Sequence, residues 1–254
     1  MKLTLLGAHQ GENTTARFMS ILVDGTLAID AGGLTGALSS EEQLAIEAVI
    51  LTHRHFDHVK DLPGLVHTRW EHKDLQLYCL PDTRDALRAH VFNDALWPSL
   101  KKAQGGYYPV VFNDVEPGRA FSLAGYSILP ITVSHTVPTV GYLLERDGRR
   151  VFYTADTRAE EHPLWAEHRP DLLIAETTMS SAHDEAAGRF GHMTPLSLER
   201  VLRVFHERQG YFPRTVCVHI NPAHEAAIRQ ELSELSSRLD VDISAGSEGL
   251  ILEV

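Results

Sequence analysis

The sequence predicts an α/β protein whose short buried strands end in polar residues able to hold metal. Three observations predict it. Short apolar, partly β-branched runs alternate with helix-start signatures along the chain. Those runs end repeatedly in His or Asp, most densely at Leu51-Thr52-His53-Arg54-His55-Phe56-Asp57-His58. The chain is 254 residues long and 43% hydrophobic, enough to bury a large core. No internal repeat, low-complexity tract or linker divides it, so 1–254 reads as a single domain.

Lys2–Leu6 reads as a first strand ending at Gly7, too quickly polar for a signal peptide. Arg17–Val23 and Thr26–Ile29 form a predicted hairpin across Asp24-Gly25. The polar loop Ala8–Thr15 before that hairpin could lie at the site's rim and carries His9, read as solvated rather than facing substrate. Ser39-Ser40-Glu41-Glu42 is a capping box that opens a helix through Glu47. Strand 48–52 follows, then a helix over Asp57–Val66 interrupted at Pro63-Gly64. A strand at Leu75–Leu80 leads to a helix capped by Asp82 and running to about Leu96. Residues 97–118 are irregular and read as an insertion over the site or a dimer contact. Strands resume at 120–123, 127–133, 140–145, 150–154 and 171–175. Thr194-Pro195 starts a helix to about Arg208, and Asn221-Pro222 caps another to about Leu239. Strand 214–219 lies between them, and 241–243 and 250–254 close the chain.

The stretch from His53 to His58 carries the chemistry. Side chains two apart in an extended segment share a face, so His53 and His55 point together, as two imidazoles on one ion require. Asp57 and His58 follow where the chain turns into a helix and face a second position a few Å away. Asp30, at the end of the third strand, could hold a ligand histidine's second nitrogen. Two ions need more donors than this stretch supplies. His135, Asp156 and His219 each end a later predicted strand, and strand ends on one sheet edge converge.

His53-Arg54-His55-Phe56-Asp57-His58, with Asp30, His135, Asp156 and His219 in this order, resembles the metallo-β-lactamase superfamily over the whole chain. The resemblance implies an αββα sandwich, two mixed sheets flanked by helices, with a dinuclear site at one edge. It implies His53, His55 and His135 on the first ion, Asp57, His58 and His219 on the second, and Asp156 between them. It also implies two divalent ions, Zn²⁺ by default, although His and Asp donors accept Mn²⁺ or Fe²⁺ as well.

Within the superfamily, Glu176-Thr177-Thr178 and Gly191-His192-Met193-Thr194-Pro195 resemble the Glu and His motifs of tRNase Z. The match to class II cyclic-nucleotide phosphodiesterases is closer, through the Gly-His-x-x-Pro segment and His90-Val91-Phe92-Asn93-Asp94-Ala95-Leu96-Trp97-Pro98. The family's lysine after the last histidine motif is missing from His219-Ile220-Asn221-Pro222. The resemblance therefore implies hydrolysis of 3′,5′-cyclic nucleotides to nucleoside monophosphates by a hydroxide held between two ions. Asp57, His192 and Glu176 would be the catalytic residues, with Glu176 orienting His192 as proton donor. A tRNase Z-like endoribonuclease is the second expectation. A lactone or thioester hydrolase and a binding protein without turnover follow.

Composition bounds the partners. A net charge of −11 argues against a broad phosphate-tracking surface, so long nucleic acid is not expected. A small anionic diester remains compatible, because two cations reverse the local sign. No apolar run is long enough to span a membrane. Cys79 and Cys217 read as buried free thiols, which fits the cytoplasm. The family suggests a homodimer. Arg54 is read as solvated or touching substrate, and Phe56 as core.

Overall fold

Leu3 and Leu5 turn one way from strand β1 (Lys2–Gly7), Leu6 turns the other, and all three are buried. That pattern recurs through the molecule, because both sheets are covered on both faces. The structure is a computed structural model that describes residues 1–69, 72, 74–99, 110–159 and 164–254. Among these, the chain continues through β2 (Ser20–Val23), β3 (Leu27–Ile29), β4 (Ala48–Ile50), β5 (Leu75–Cys79) and β6 (Val110–Asp114). The second half supplies β7 (Phe121–Leu123), β8 (Tyr126–Val133), β9 (Thr139–Arg146), β10 (Arg149–Tyr153), β11 (Leu172–Glu176), β12 (Arg214–Val218), β13 (Ile243–Ala245) and β14 (Ile251–Glu253).

Two seven-stranded sheets result, ordered β14-β1-β2-β3-β4-β5-β6 and β13-β12-β11-β10-β9-β8-β7. Strands β3 to β6 are mutually parallel, as are β10 to β13, and the remaining pairs are antiparallel. Ile21, Ile29 and Ile50 of the first sheet meet Ile128, Tyr142, Tyr153 and Ile174 of the second in the central core. On the outside of the first sheet, Leu62, Leu65 and Val66 of α3 (Leu62–Thr68) and Leu87 of α4 (Pro81–His90) pack on Val49, Leu77 and Cys79. On the outside of the second, α6 (Pro195–Gln209) and α7 (Glu225–Leu239) lay Leu202, Phe205, Ile228 and Leu232 on Phe152, Leu173 and Cys217. The order of layers is helix, sheet, sheet, helix, as expected. Both cysteines are buried free thiols.

Several boundaries differ from the sequence reading for local reasons. The capping box at Ser39 forms, with Glu42 bonded back to the cap, but the helix it opens, α1 (Ser40–Ala45), stops short of Glu47. The helix after the metal stretch breaks at Lys60-Asp61 into α2 (Phe56–Val59) and α3. Pro63 lies in the first turn of α3, where a missing N–H costs nothing. Helix α4 begins at Pro81 and stops at His90, well before Leu96. The chain then turns through Asp94 at φ 68°, and Phe92 pairs with Trp97. Helix α7 starts at Glu225 rather than Asn221, whose side chain accepts from the Ala223 N–H. Residues 110–114, within the stretch read as irregular, form the edge strand β6. A short helix α5 (Asp184–Phe190) precedes α6. Lys101, Lys102, Tyr107, Tyr108 and His162 lie outside the described residues.

His9 departs most from expectation. It is buried, with Nδ1 2.7 Å from Glu248 and Nε2 3.5 Å from Glu225. Glu248 also accepts from the Arg17 N–H at 2.8 Å, so it ties the first loop to the C-terminal segment. Burial works against a charged His9, but Glu248 and Glu225 outweigh it and raise the pKa above 6.5. Burial likewise opposes the Glu248 carboxylate, yet His9 holds its pKa below 4.5. A raised histidine stabilises fully below its unfolded pKa and loses that contribution as pH rises through its folded one. A depressed carboxylate stabilises above its unfolded pKa and loses it on acidification. The pair is therefore at full strength between pH 4.5 and 6.5. Urea unfolding of His9→Gln should show a deficit of about 1.5–3 kcal/mol in that window, shrinking as the pH climbs. A deficit that grows on going alkaline would contradict this account.

Candidate metal centre

The C-terminal ends of β3, β4, β8, β10, β11 and β12 open on one edge of the sandwich. Asp30, Thr52–His58, His135, Asp156, Glu176 and His219 stand at or just beyond those ends. Left-handed backbone at Asp30 (φ 59°), Ala155 (φ 55°) and His219 (φ 60°) turns the chain sharply there. Side chains with a Cβ adopt this conformation at a cost of about 1 kcal/mol or more. Three such residues gathered at one edge mark it as a built site. Gly32 lets the α2 segment seat against the end of β3, since a Cβ there would lie 1.8 Å from the Asp57 carbonyl oxygen.

Two four-residue donor clusters form on this edge, beside a smaller group of Glu176, His192 and His219. His53, His55, His135 and Asp156 make the first, and Asp57, His58, Asp156 and His219 the second. In each, one donor atom per residue lies within 4.8 Å of all the others. His135 Nε2 and His55 Nδ1 are 3.1 Å apart, and His219 Nε2 stands 3.1 Å from Asp57 Oδ2 and 3.3 Å from Asp156 Oδ2. These approach the edge of about 3.3 Å between ligands on a tetrahedral ion with arms near 2.0–2.1 Å. His53 Nε2, His58 Nε2 and Asp156 Oδ1 are buried and find no hydrogen-bond partner among the described residues. His58 Nε2 and Asp156 Oδ1 lie 3.3 Å apart without being aligned for a bond, as two donors aimed at a common cation do. The residues fit a pair of divalent ions sharing Asp156.

Protonation favours the same reading. Burial pushes the His53, His55 and His135 pKa values down, keeping these rings neutral with a lone pair to donate. Burial opposes the charge on Asp156, but His219 and His58 hold its pKa well below the usual carboxylate range. Asp57 falls to about 2 against the pull of burial, chiefly through His58 and His219. His58 goes the other way: burial disfavours its charge, yet Asp156, Asp30 and Asp57 raise its pKa well above 6.5. Three carboxylates thus converge on one imidazole, a local excess of negative charge that a divalent ion would neutralise.

Within the two four-residue clusters, the rings of His53, His58, His135 and His219 are held from behind. The His58 Nδ1–H donates to Asp30 at 2.8 Å, as the sequence suggested. His135 Nδ1 meets the Gly191 carbonyl at 2.9 Å. Gly191 sits at φ 83°, and a Cβ there would lie 2.6 Å from that nitrogen. Two threonines complete the set and were not singled out from sequence. Thr52 Oγ1 joins His53 Nδ1 (2.9 Å) to the Asp30 carboxylate, and Thr178 Oγ1 joins His219 Nδ1 (2.8 Å) to Glu176 Oε2 (2.9 Å). Their adjacency to His53 and Glu176 was visible, but which histidine Thr178 meets depends on β11 pairing with β12.

Glu176 has a second role. Its Oε1 stands 3.0 Å from His192 Nδ1 and accepts from the Thr157 N–H at 3.1 Å. The His192 ring lies 5.1 Å from the rings of both His135 and His219, stacked on the latter. Burial resists its charge, but Glu176 beside it raises the pKa to about 9. Thr178→Val should loosen His219 and unbalance Glu176 together. We expect metal affinity to fall about 10–100-fold, read by competition with a chelator, with Thr178→Ser retaining most of it. Equal affinity in both variants would remove the threonine from the support of His219.

Of the other residues considered, Arg54 pairs with Asp82. Phe56 is not core: it is 67% exposed, because α2 turns that face outward between His55 and Asp57. Trp97 stands edge-on to His67, with ring centroids 6.2 Å apart. Asn221, near the position of the missing lysine, donates to Gln10.

The profile of the beta-lactamase superfamily domain matches residues 21–220. The ribonuclease Z of Haloarcula marismortui is 23% identical, over 98% of this chain and 96% of its own length. Among solved structures, unliganded yeast PDE1 superposes with a TM-score of 0.82 at 17% identity, covering 100% of this chain and 99% of that one. YhfI of Bacillus subtilis, a metallo-beta-lactamase fold protein, gives 0.79 at 18% identity, covering 100% and 98%. With the matched profile spanning all six strands that build the donor edge, the chain belongs to the metallo-β-lactamase superfamily and is a metal-dependent hydrolase.

Proposed function

We propose that the protein is a dinuclear phosphodiesterase that hydrolyses 3′,5′-cyclic nucleotides to nucleoside monophosphates. The observation that carries this reading is the Glu176–His192 pair placed against the donor clusters. Two bound divalent ions, Zn²⁺ in the first instance, would polarise the phosphoryl oxygens and activate water. His53, His55 and His135 would hold one, Asp57, His58 and His219 the other, and Asp156 both. His192 Nδ1 is committed to Glu176, which leaves Nε2 facing substrate. Glu176 beside it favours the charged ring, so it can donate to the ribose oxygen as the P–O bond breaks. Asp57, 19% exposed in its side chain, is the ligand carboxylate most open to substrate and could accept a proton from attacking water.

A second reading is an endoribonuclease, favoured by end-to-end similarity to ribonuclease Z. The net charge of −11 supports a small diester over RNA. Among the described residues no helix is long and apolar enough to cross a membrane. A cytoplasmic location agrees with the two free thiols. A homodimer rests on family resemblance and is tested by sedimentation.

The deciding experiment incubates metal-loaded protein with cyclic AMP, cyclic GMP, bis(p-nitrophenyl) phosphate and a precursor tRNA, alongside His55→Ala. Cyclic-nucleotide hydrolysis absent from the variant is the expected result. Cleavage of the tRNA with the cyclic nucleotides untouched would install the second reading. Turnover of none of the four, with metal bound, would turn attention to lactones and thioesters.

A further inference from the structure

A cleft of about 660 Å³ opens beside the metal centre and shares its His55 wall. Its volume suits a nucleoside-sized group. One side is the stretch Arg54–Val59, and the other is α4 with Leu87 and Val91. Phe56 projects into this region with 67% of its surface exposed, although ligand residues flank it on both sides. An aromatic ring left open between two metal ligands stands where the part of a substrate attached to the reacting group must lie.

Charge narrows what enters. Arg54 is the one lysine or arginine on the described wall, and Asp82 already engages it. Asp85 lies on the same wall and pairs with Arg84. Among the described lining residues a phosphate would meet two carboxylates, with Arg54 engaged by Asp82 and His90 the other ionisable group beside His55, so the phosphodiester belongs over the metal cluster. The cleft is instead suited to a flat, uncharged group carrying N–H donors, which a carboxylate can accept and an aromatic ring can stack.

We propose that this cleft is the base subsite: it takes the nucleobase of a nucleotide whose phosphodiester lies over the metal centre, with the base against Phe56 and its amino edge toward Asp82 and Asp85. This rests on the phosphodiesterase reading and extends it to substrate selection. Stacking on one aromatic ring commonly changes affinity by tenfold or more.

The test uses metal-loaded wild type, Phe56→Ala and Phe56→Trp. Titration calorimetry with AMP, steady-state kinetics with cyclic AMP and competitive inhibition by inorganic phosphate are measured on each. In Phe56→Ala, AMP binding should weaken and KM for cyclic AMP rise by about tenfold, while kcat stays within about twofold. Inhibition by phosphate, which has no base, should not change. Phe56→Trp should restore AMP binding. Wild-type turnover with AMP affinity equal in all three proteins would overturn the subsite and leave the phosphodiesterase reading standing. Equal weakening of AMP and phosphate in Phe56→Ala would also overturn it, as a disturbance of the metal centre. A wild type that neither hydrolyses cyclic AMP nor binds AMP would overturn both.

Discussion

Asp156→Asn should lose metal and activity together, and by more than any other single ligand change. Asp156 is the one residue in both donor clusters. Its carboxylate lies 3.3 Å from His58 and His219, and 3.8 Å from His53 and His135. An amide of the same shape removes the negative charge and aims an NH₂ group at one of the two positions. The loss of several kcal/mol of charge stabilisation corresponds to about three or more powers of ten in rate. Metal analysis should show depleted protein, and hydrolysis of bis(p-nitrophenyl) phosphate should fall accordingly. A third readout needs no turnover. A ligand at one hundred times its dissociation constant stabilises the folded state by about 2.7 kcal/mol, so added Zn²⁺ should raise the melting temperature of wild type and leave that of Asp156→Asn where it was. Full metal content with a wild-type thermal response to Zn²⁺ would show that Asp156 does not join the two clusters through metal.

His192→Ala should leave the metal in place and slow only the chemistry. The ring belongs to neither four-residue cluster, and its bonded partner is Glu176. A proton donor is worth about 10²–10⁴ in rate, and the size depends on the leaving group. A ribose alkoxide needs a proton as it departs, whereas p-nitrophenolate is stable without one. The variant should therefore be crippled toward cyclic nucleotides and much less impaired toward bis(p-nitrophenyl) phosphate. Equal losses on both substrates would show that His192 positions the diester and does not protonate it. Loss of metal would show that it supports His219, on which it stacks.

The sequence by itself determined which His and Asp side chains would gather and where the chain would present them. The spacing from His53 to His58 is local, and the alternation of an extended segment followed by a helix start separates its donors whatever surrounds them. The same holds for His135, Asp156 and His219, each placed by the end of a short apolar strand, and for Asp30 behind His58. What only the tertiary structure decided depends on neighbours distant in the chain. Thr178 became the link between Glu176 and His219 because β11 lies beside β12. His9 became a buried ion-pair partner because Glu248 arrives from the C-terminal segment. Residues 110–114 became an edge strand because β5 was there to pair with them. Phe56 shows the limit most directly. A phenylalanine in a sequence carries a preference for burial, but burial needs a surface to cover it, and at the outward face of α2 none of the described residues does.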